Sequence, residues 1–546
     1  MKKNIIYASG TLCVALFCAC TDLDTDIKSQ YTSLPLTNES IEAVSGSVYT
    51  SLRSPFGGSL WMTSTITSDQ TSAVSMGKDY FDGGRYMQLT LHTWNAENPI
   101  IGGLWDDLMN GIIKANTVIA QIGEENIDKT ASLRAMRALY LFLLMDNFGD
   151  VPLLKKFGDE ANARTPRAEV ALFIESELNE VRDFLPETVS ESSYGKATCW
   201  MVDALLTKLY INWNVYHAAD VATYDPESTN NKLSDCISSC DNVIASGLFD
   251  LSGNYPDKFA STNGPSVKDF IFVVPFDHAL QRGMTYMRWW NFRNGGDMWG
   301  YAIPQSVAGT FRLNPAYVNL FNLAGDIRSE VLYGDKIVYY SNGKPTDRPY
   351  VISTTKGAID EYCSAEEAEE KVEWQLELPN ELYIRNAESN ASTLNVGNDL
   401  LGKAMGYRCI KFGMDPLTTK DDGRSQSNDV PVFRFADILL TKAEALVRQG
   451  KASDAKDLVN QIRSAVGATE LSSDPTLQDI LDERAREFID EVWRRNDLIR
   501  FGKFEEPTEF RQLYSAEATA QKTRRVFCLP SSVLSTNPSW QQNAGY

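Results

Sequence analysis

Two helical patterns follow each other closely between residues 434 and 467, and this pair constrains the fold more than any other feature. In the first pattern, Leu439, Ala443 and Leu446 recur at three- and four-residue steps, which places them on one face of a helix. Gly450 stands where a C-cap glycine would end that helix, and the second pattern begins directly after it. Because the connection is short, the helices are expected to pack antiparallel. Such a pair is typical of a tetratricopeptide-type unit, which buries its apolar face against neighbouring pairs.

The rest of the chain divides by pattern into three parts. Residues 37–246 are dominated by helical patterns but include a long stretch, 53–99, that is rich in Gly, Ser, Thr and aromatic residues. Helical periodicity is mostly lost in residues 247–432, where short strand-like runs lie among Gly, Asn, Asp and Pro. Residues 433–546 hold the helix pair and an irregular tail. We therefore predict a single, mainly α domain over residues 37–546, in which a tetratricopeptide-like helix-pair scaffold carries long, loop-rich insertions and a few short strands.

The charge of the chain limits its partners. The formal net charge is −20 at pH 7. Nucleic acid is excluded as a partner, because its phosphates require a basic protein surface. Docking on anionic lipid is disfavoured for the same reason. At the level of the whole chain, this balance favours a neutral or cationic ligand over a polyanion.

The N-terminus has the pattern of a bacterial lipoprotein signal peptide over residues 1–19. Lys2 and Lys3 precede an apolar run that is too short to span a bilayer in the mature protein. Small Ala19 stands just before Cys20, which predicts cleavage between them and lipidation of Cys20. Residues 20–36 are then a lipidated tether, and its acidic start resembles an export signal for surface lipoproteins of Bacteroidetes. The alternative is an ordinary secretory signal with incidental cysteines.

No motif for metal binding or catalysis is evident. The three histidines stand alone, and the close pair Cys236 and Cys240 has no second pair beside it, so we predict no metal site. The remaining cysteines are interpreted as small buried thiols. Neither GxSxG, HExxH nor a phosphate-binding glycine motif occurs, and we predict no catalytic residue and no cofactor. The charged residues interpreted as buried ion pairs of the helical core are Arg434, Asp437, Glu444, Glu483, Arg484 and Asp497.

Several motifs occur in a family-specific order. They are LWDDLMNGIIKAN (104–116), LRAMRALYLFLLMDNFGDVPL (133–153), RFADILLTKAEALVRQGKASDAKDLVNQIR (434–463), ERAREFIDEVWRRNDLIRFG (483–502) and the terminal QQNAGY. Together they resemble the SusD/RagB family of outer-membrane lipoproteins, over residues 20–546. The resemblance implies a SusD-like fold, an outer-membrane position at the cell surface through a lipid on Cys20, and a SusC-like TonB-dependent transporter as partner.

Three functions follow from these observations. The first is a non-enzymatic protein that binds oligosaccharide or polysaccharide and delivers it to the transporter, as the resemblance implies. The second is a binder of oligopeptides, as in the RagB branch of the family. The third is a glycoside hydrolase, which needs two carboxylates about 5 to 10 Å apart. The sequence offers no positive support for this third function.

Candidate ligand-binding residues lie in two irregular, aromatic-rich stretches, residues 61–94 and 286–301. Sugar rings present apolar C–H faces that stack on aromatic side chains, while polar groups nearby bind the hydroxyls. We expect the two stretches to converge on one face. The preferred stacking platforms are Trp94, Trp289 and Trp290, with Tyr86 and Tyr301 as secondary ones and Asp69 as the acceptor for hydroxyl hydrogen bonds.

Overall fold

The computed structural model describes residues 37–293, 295, 297–300, 307–341, 343–418, 424–508, 510–511 and 521–546. The predicted signal peptide, Cys20, the tether and Tyr301 lie outside these ranges. Within them, no helix combines the length and the hydropathy that a membrane span requires.

The described residues are mainly helical, as predicted. The α-helices are α1 (Asn38–Thr50), α2 (Leu60–Ile66), α3 (Arg85–Thr90), α4 (Pro99–Ile122), α5 (Ile127–Phe148), α6 (Arg167–Val181), α7 (Cys199–Ile211), α8 (Trp213–His217), α9 (Leu233–Ala245), α10 (Tyr286–Trp290), α11 (Pro315–Val318), α12 (Lys356–Ile359), α13 (Ala387–Asn390), α14 (Leu400–Ala404), α15 (Phe435–Arg448), α16 (Ala452–Ala465), α17 (Leu477–Glu487), α18 (Arg494–Arg500) and α19 (Ser531–Thr536). Two of them, α2 and α3, lie inside the stretch 53–99, which the sequence predicted to be a loop. Packing against the core overrides the weak helix propensity of its Gly, Ser and Thr residues.

The strands are short and pair two by two. They are β1 (Thr71–Ala73), β2 (Phe270–Val274), β3 (Phe311–Leu313), β4 (Leu332–Tyr333), β5 (Asp335–Lys336), β6 (Val338–Ser341), β7 (Lys344–Pro349), β8 (Val351–Thr355), β9 (Lys371–Gln375), β10 (Glu377–Leu378), β11 (Arg408–Cys409) and β12 (Val430–Arg434). The antiparallel pairs are β1–β3, β2–β12, β4–β11, β5–β10, β6–β7 and β8–β9. The predicted few short strands are therefore confirmed, and β12 leads directly into α15.

The helices form a continuous stack. In one part α4 packs on α5 and α5 on α6, and in the other α7 packs on α9, α9 on α15 and α15 on α16. The two parts meet where α7 contacts α5 and α6. Gly450 has a φ of 76°, and its N–H donates to the carbonyl of Val447 just after α15, so the predicted helix end is confirmed. The tetratricopeptide-like scaffold predicted from residues 434–467 is therefore present.

A close approach between α4 and α5 depends on Gly111. A Cβ atom at this position would lie 2.3 Å from the ring of Tyr140. Tyr140 is fully buried, and its hydroxyl donates to the carbonyl of Val48 over 2.7 Å. The ring therefore cannot move aside without losing this hydrogen bond.

We expect Gly111→Ala to lower the free energy of unfolding by about 1–3 kcal/mol, because an added methyl group overpacks the helix contact. Denaturant-induced unfolding measures the change. Gly103→Ala in the same helix is the matched control, since a Cβ atom there meets nothing within 4 Å. This control should be neutral or stabilising by up to about 1 kcal/mol. Equal stability of the two variants would mean that the Tyr140 ring moves aside without a measurable energetic cost.

Buried ion pairs cross the centre of the domain. The Nη1 atom of Arg434, at the start of α15, lies 2.6 Å from Asp269 and 2.9 Å from Glu487. Its Nη2 atom lies 2.9 Å from Glu491. All four side chains are almost fully buried. Arg434 therefore ties α15 to α17 and to the residue that precedes β2.

A second buried group of ion pairs adjoins α18. Arg484 lies 2.9 Å from both Asp437 and Asp497. Arg500 lies 2.8 Å from Glu444 and 2.7 Å from Asp497. The charged residues that the sequence assigned to core ion pairs are therefore confirmed in that role. They stabilise the packing of α15, α17 and α18.

A buried carboxyl group, that of Asp490, joins three distant parts of the chain. Its Oδ1 accepts a hydrogen bond from the indole N–H of Trp61 over 2.9 Å, and its Oδ2 accepts one from Trp290 over 3.0 Å. The Trp61 ring also stacks on Tyr286, with 3.9 Å between ring centroids. Burial raises the pKa of Asp490 to about 7, although both indole hydrogen bonds act to lower it. The segment 286–293 is thereby fixed against the helical core.

The six cysteines after residue 36 are free thiols. Five are buried, as predicted, and Cys363 is half-buried. Burial raises the pKa of Cys199 to about 11 and that of Cys528 to about 12. These thiols therefore act as small packing groups.

Candidate functional site

The structure contradicts the prediction that Trp94, Trp289, Trp290 and Tyr86 offer open ring faces. Trp94 is 1% exposed and Trp290 is 0% exposed, and the other two side chains are also buried. The indole N–H of Trp94 donates to the hydroxyl of Tyr546 over 2.6 Å. These large rings fill the core because each buries a large apolar area. In this conformation none presents a free face on which a sugar can stack.

The predicted acceptor Asp69 is already paired. Its two carboxylate oxygens accept hydrogen bonds from Nε and Nη2 of Arg494 over 2.8 and 2.6 Å. Such a bidentate pair occupies both oxygens. Within the described residues, Asp69 and Trp94 do not share contacts with Trp289. The ring of Trp289 contacts that of Tyr86, with 5.3 Å between the ring centroids. Of the predicted residues that the structure describes, Tyr86, Trp289 and neighbouring Trp290 are the ones brought together.

The exposed aromatic surface next to Trp289 belongs to residues 77–85, here named the aromatic turn. Phe81, at its centre, is 37% exposed, and Tyr80 is half-buried. Tyr80 and Asp82 have φ angles of 61° and 46°, in the left-handed region that non-glycine residues rarely adopt. Such strained backbone is found most often at functional sites, where the surrounding structure maintains it. The aromatic turn is therefore a candidate ligand site.

Contacts from two distant segments hold the aromatic turn in place. The backbone N–H of Gly77 donates to Oδ1 of Asn395 over 2.8 Å. At the other side, Arg293 Nη2 lies 2.9 Å from Asp79 Oδ2. At the start of the turn, Asp79 and the preceding residue Met76 exchange two backbone hydrogen bonds of 3.0 and 3.1 Å. The turn is thus fastened to the segments 286–293 and 394–398.

Aromatic rings and arginines alternate across this surface. The rings of Tyr80 and Trp289 are 6.4 Å apart in an edge-to-face arrangement. The Arg293 guanidinium lies 5.2 Å over Tyr80, and that of Arg288 lies 5.1 Å over Trp289. Arg85 lies 4.8 Å over Tyr86. Cation–π contacts of this kind hold planar guanidinium groups flat against the rings.

Several hydrogen-bond donors in this cluster have no partner among the residues that the structure describes. They are the indole Nε1 of Trp289, the Nε atoms of Arg85 and Arg288, and Nη1 of Arg293. A buried donor without a partner costs about 1–3 kcal/mol, and native proteins contain few of them. These four atoms are themselves buried, so bound water is the partner that fits them, and the guanidinium groups reach a ligand through their other N–H groups.

The hydroxyl of Tyr86 lies in the same electrostatic environment. Burial raises its pKa, while the positive charges of Arg85 and Arg288 act in the opposite direction. The phenol therefore stays protonated at neutral pH. It adds a further polar group to the cluster.

A second concave surface is a groove of about 890 Å³ between α1 and the segment 186–197. Its two tyrosines already use their hydroxyls. Tyr194 donates to Asp429 over 2.7 Å, and Tyr49 accepts from the N–H of Ala197 over 3.3 Å. This groove has no exposed ring beside unpaired donors. The aromatic turn is the better candidate for a ligand that stacks and hydrogen-bonds.

Comparison with known proteins places the chain in a family. Residues 268–546 match the sequence model of the SusD family, which is more than half of the chain. This chain belongs to the SusD family. Residues 22–211 also match a SusD-like family model described as starch-binding and associating with the outer membrane. The family membership and the fold class predicted from the sequence are both confirmed.

Individual SusD-family proteins are similar along most of their length. The starch-binding protein SusD of Bacteroides thetaiotaomicron is 25% identical over 495 residues, which cover 84% of this chain and 81% of that protein. The structure of surface glycan-binding protein A from the same species has a TM-score of 0.67 at 19% identity, covering 93% of this chain and 99% of that one. Its complex with laminarihexaose has a TM-score of 0.66. These structures share the SusD fold with this chain.

The aromatic turn lies inside the predicted stretch 61–94, but Tyr80 and Phe81 are not among the predicted stacking residues, although a signal for them is present. The segment KDYFDGGRY (78–86) places two aromatic residues between two aspartates, and two glycines follow the second aspartate. Gly-Gly in a polar setting predicts a tight turn, and aromatic residues on a turn tip are exposed more often than those in a helix. The predicted platforms Trp94 and Trp290 are core residues instead, because a tryptophan ring buries a large apolar area.

Proposed function

We propose that this protein is a non-enzymatic glycan-binding lipoprotein that binds oligosaccharide or polysaccharide at the aromatic turn. The observation that carries the proposal is the exposed ring of Phe81 beside half-buried Tyr80, with three arginine guanidinium groups on the neighbouring rings. Relatives whose names describe starch binding and a laminarihexaose complex support the same class of ligand.

The chemistry of the turn suits a sugar. A pyranose ring lays its C–H face on Phe81 or Tyr80, which removes apolar surface from water. The hydroxyls at the ring edge accept hydrogen bonds from guanidinium N–H groups, and they donate to the exposed carboxylates of Asp79 and Asp82. These contacts bind a ligand without breaking a bond in it.

The proposal extends to how the protein works in the cell. Cleavage before Cys20 and lipidation of Cys20 would anchor the protein in the outer membrane, with its bulk at the cell surface. A SusC-like TonB-dependent transporter would then receive the glycan. The description of the matching family as associating with the outer membrane supports this position.

Phe81→Ala is expected to weaken glycan binding by about tenfold or more, because a stacked aromatic ring contributes roughly 1.5–3 kcal/mol. The melting temperature should change little, since the side chain is partly exposed. Isothermal titration calorimetry or affinity electrophoresis against starch, laminarin, fructan, mucin glycans and plant polysaccharides measures the effect.

Phe157→Ala is the matched control, because Phe157 is 62% exposed and lies outside the aromatic turn. It should leave both affinity and stability unchanged. Equal glycan affinity of the Phe81→Ala variant and the wild type would move the ligand site away from the turn. Binding of oligopeptides but of no glycan would replace the proposed ligand class.

A further inference from the structure

Arg288 stands out in the aromatic turn's surroundings by its lack of a counter-charge. Its side chain makes no ion pair and no hydrogen bond with any residue in the described ranges. Arg85 and Arg293, in contrast, lie 2.9 Å from Asp82 and Asp79. Arg288 is half-buried, with its Nε covered, so it has lost part of its hydration without gaining a counter-charge. Such a charge is costly unless an anion completes it.

The orientation of Arg288 is fixed from both sides. Its backbone carbonyl accepts hydrogen bonds from the N–H groups of Ala308 and Gly309 over 2.7 and 3.1 Å. Its guanidinium lies 5.1 Å over the Trp289 ring. A guanidinium held in this way keeps its forked donors available in one direction, which suits a planar or tetrahedral oxyanion.

A second cation reinforces the local positive charge. Lys403, at the end of α14, is half-buried and makes no ion pair within the part of the chain that is described. Burial lowers its pKa, and so does the charge of neighbouring Arg293, while Asp399 and Asp79 act in the opposite direction. The cations at the turn are therefore Lys78, Arg85, Arg288, Arg293 and Lys403, against the carboxylates of Asp79 and Asp82 in the turn and those of Asp399 and Glu361 near Lys403. This local excess is opposite in sign to the net charge of −20.

We propose that the glycan bound at the aromatic turn carries an acidic substituent, a carboxylate or a sulfate, that pairs with Arg288. The inference rests on the proposed function and names its substrate class. A neutral sugar offers only hydroxyls, which leave the charge of Arg288 uncompensated. A carboxylate or a sulfate ester accepts two guanidinium N–H bonds at once and balances the charge.

The overall charge then contributes selectivity. The acidic body of the protein repels polyanions that approach elsewhere. An acidic glycan gains enough binding free energy to overcome this repulsion only where ring stacking and the local cations act together. The expectation of a neutral or cationic ligand, which came from the net charge, holds for the surface as a whole and is reversed at this site.

The test compares ligands that differ only in charge. Polygalacturonate is paired with its methyl-esterified form, and a sulfated polysaccharide is paired with its desulfated form. We expect the wild-type protein to bind at least one acidic member about tenfold more tightly than its neutral counterpart. The uronate and sulfate pairs distinguish the two sources of the anion.

Variants assign the effect to Arg288. Arg288→Gln should reduce the preference for the acidic member of a pair over its neutral counterpart about tenfold, whereas Arg288→Lys should retain part of the preference. Lys156→Gln is the control, because Lys156 is an exposed cation outside the aromatic turn. Melting temperatures establish that each variant is folded.

The outcomes separate the two proposals. Equal losses for Arg288→Gln and Lys156→Gln would indicate diffuse attraction and would overturn the role of Arg288. Tighter binding of the neutral members, with Phe81→Ala still harmful, would overturn the acidic ligand and keep the glycan site. Binding that is unaffected by Phe81→Ala with every ligand would overturn the proposed function itself.

Discussion

Replacing Arg434 with methionine is expected to lower the free energy of unfolding by about 3–5 kcal/mol, the largest effect of any single change considered for this protein. Methionine keeps much of the volume but leaves Asp269, Glu487 and Glu491 with one cation fewer in a buried site. When one partner is removed from a buried ion pair, the remaining charges stay buried, and their desolvation cost is no longer compensated. Equilibrium unfolding in guanidinium chloride measures the loss, provided that the slope with denaturant is unchanged.

Lys503→Met is the control for this change. Lys503 lies 2.7 Å from Glu506 at the surface, where both side chains are well exposed. Exposed pairs contribute about 0–1 kcal/mol, so the control should change little. A loss for Arg434→Met no larger than that of the control would mean that water or side-chain rearrangement compensates the buried carboxylates.

The same network of buried ion pairs determines how the stability of the protein changes at acid pH. Burial alone would raise the pKa of Glu483, but Arg328, Arg486 and Arg463 outweigh it and lower the pKa to about 2. A lowered pKa contributes stability above the unfolded value of 4.5, and this contribution is lost as the pH falls towards 2. The free energy of unfolding of Glu483→Gln should therefore be lower than that of the wild type at neutral pH. It should also fall less steeply than that of the wild type as the pH drops from 4.5 to about 2.

The second large effect is expected for Asp490→Asn, with a loss of about 1–3 kcal/mol near pH 5. The carboxyl group offers one oxygen to the indole of Trp61 and the other to that of Trp290. Asparagine has one oxygen and one NH2 group, so one indole N–H would face a donor and lose its partner. Asparagine also tolerates the φ of 61° at this position, so backbone strain does not confuse the result.

The cost of Asp490→Asn should depend on pH. Because the pKa of Asp490 is raised from 3.8 to about 7, its contribution to stability is greatest below pH 4 and is lost as the pH rises through 7. The difference between wild type and variant should therefore narrow from pH 5 to pH 8, as measured by calorimetric melting. Asp183→Asn, at an exposed side chain, should show no such trend. A constant difference would contradict the raised pKa.

The scaffold was predictable because its signals are local. The periodicity of residues 434–467 and the position of Gly450 identify a helix pair without knowledge of its neighbours. The ion pairs of Arg434 and Arg484 were predicted in kind, because charged residues on a buried helix face need partners. The particular partners, such as Asp269, lie far away in sequence and were not predicted.

The candidate site was less predictable, since it depends on long-range contacts. Trp289 was placed at the site, but its burial follows from the packing of Phe311 and Tyr80 against it. The left-handed backbone of Tyr80 has no signature in residue type, because tyrosine rarely adopts it. The role proposed for Arg288 depends on its having no ion pair with the residues that the structure describes, which only the tertiary structure reveals.

The hydrogen bonds of Asp490 have a kinetic consequence. They join residues that are 429 and 200 positions apart along the chain, so the two indoles receive their acceptor only after a very long loop has closed. Loop closure of this length is entropically costly, and folding rates fall as the mean sequence separation of contacts grows. Tyr286, which stacks on Trp61, is fixed by the same step. The 286–293 side of the aromatic turn is therefore expected to assemble late in folding, after the local helix pairs have formed.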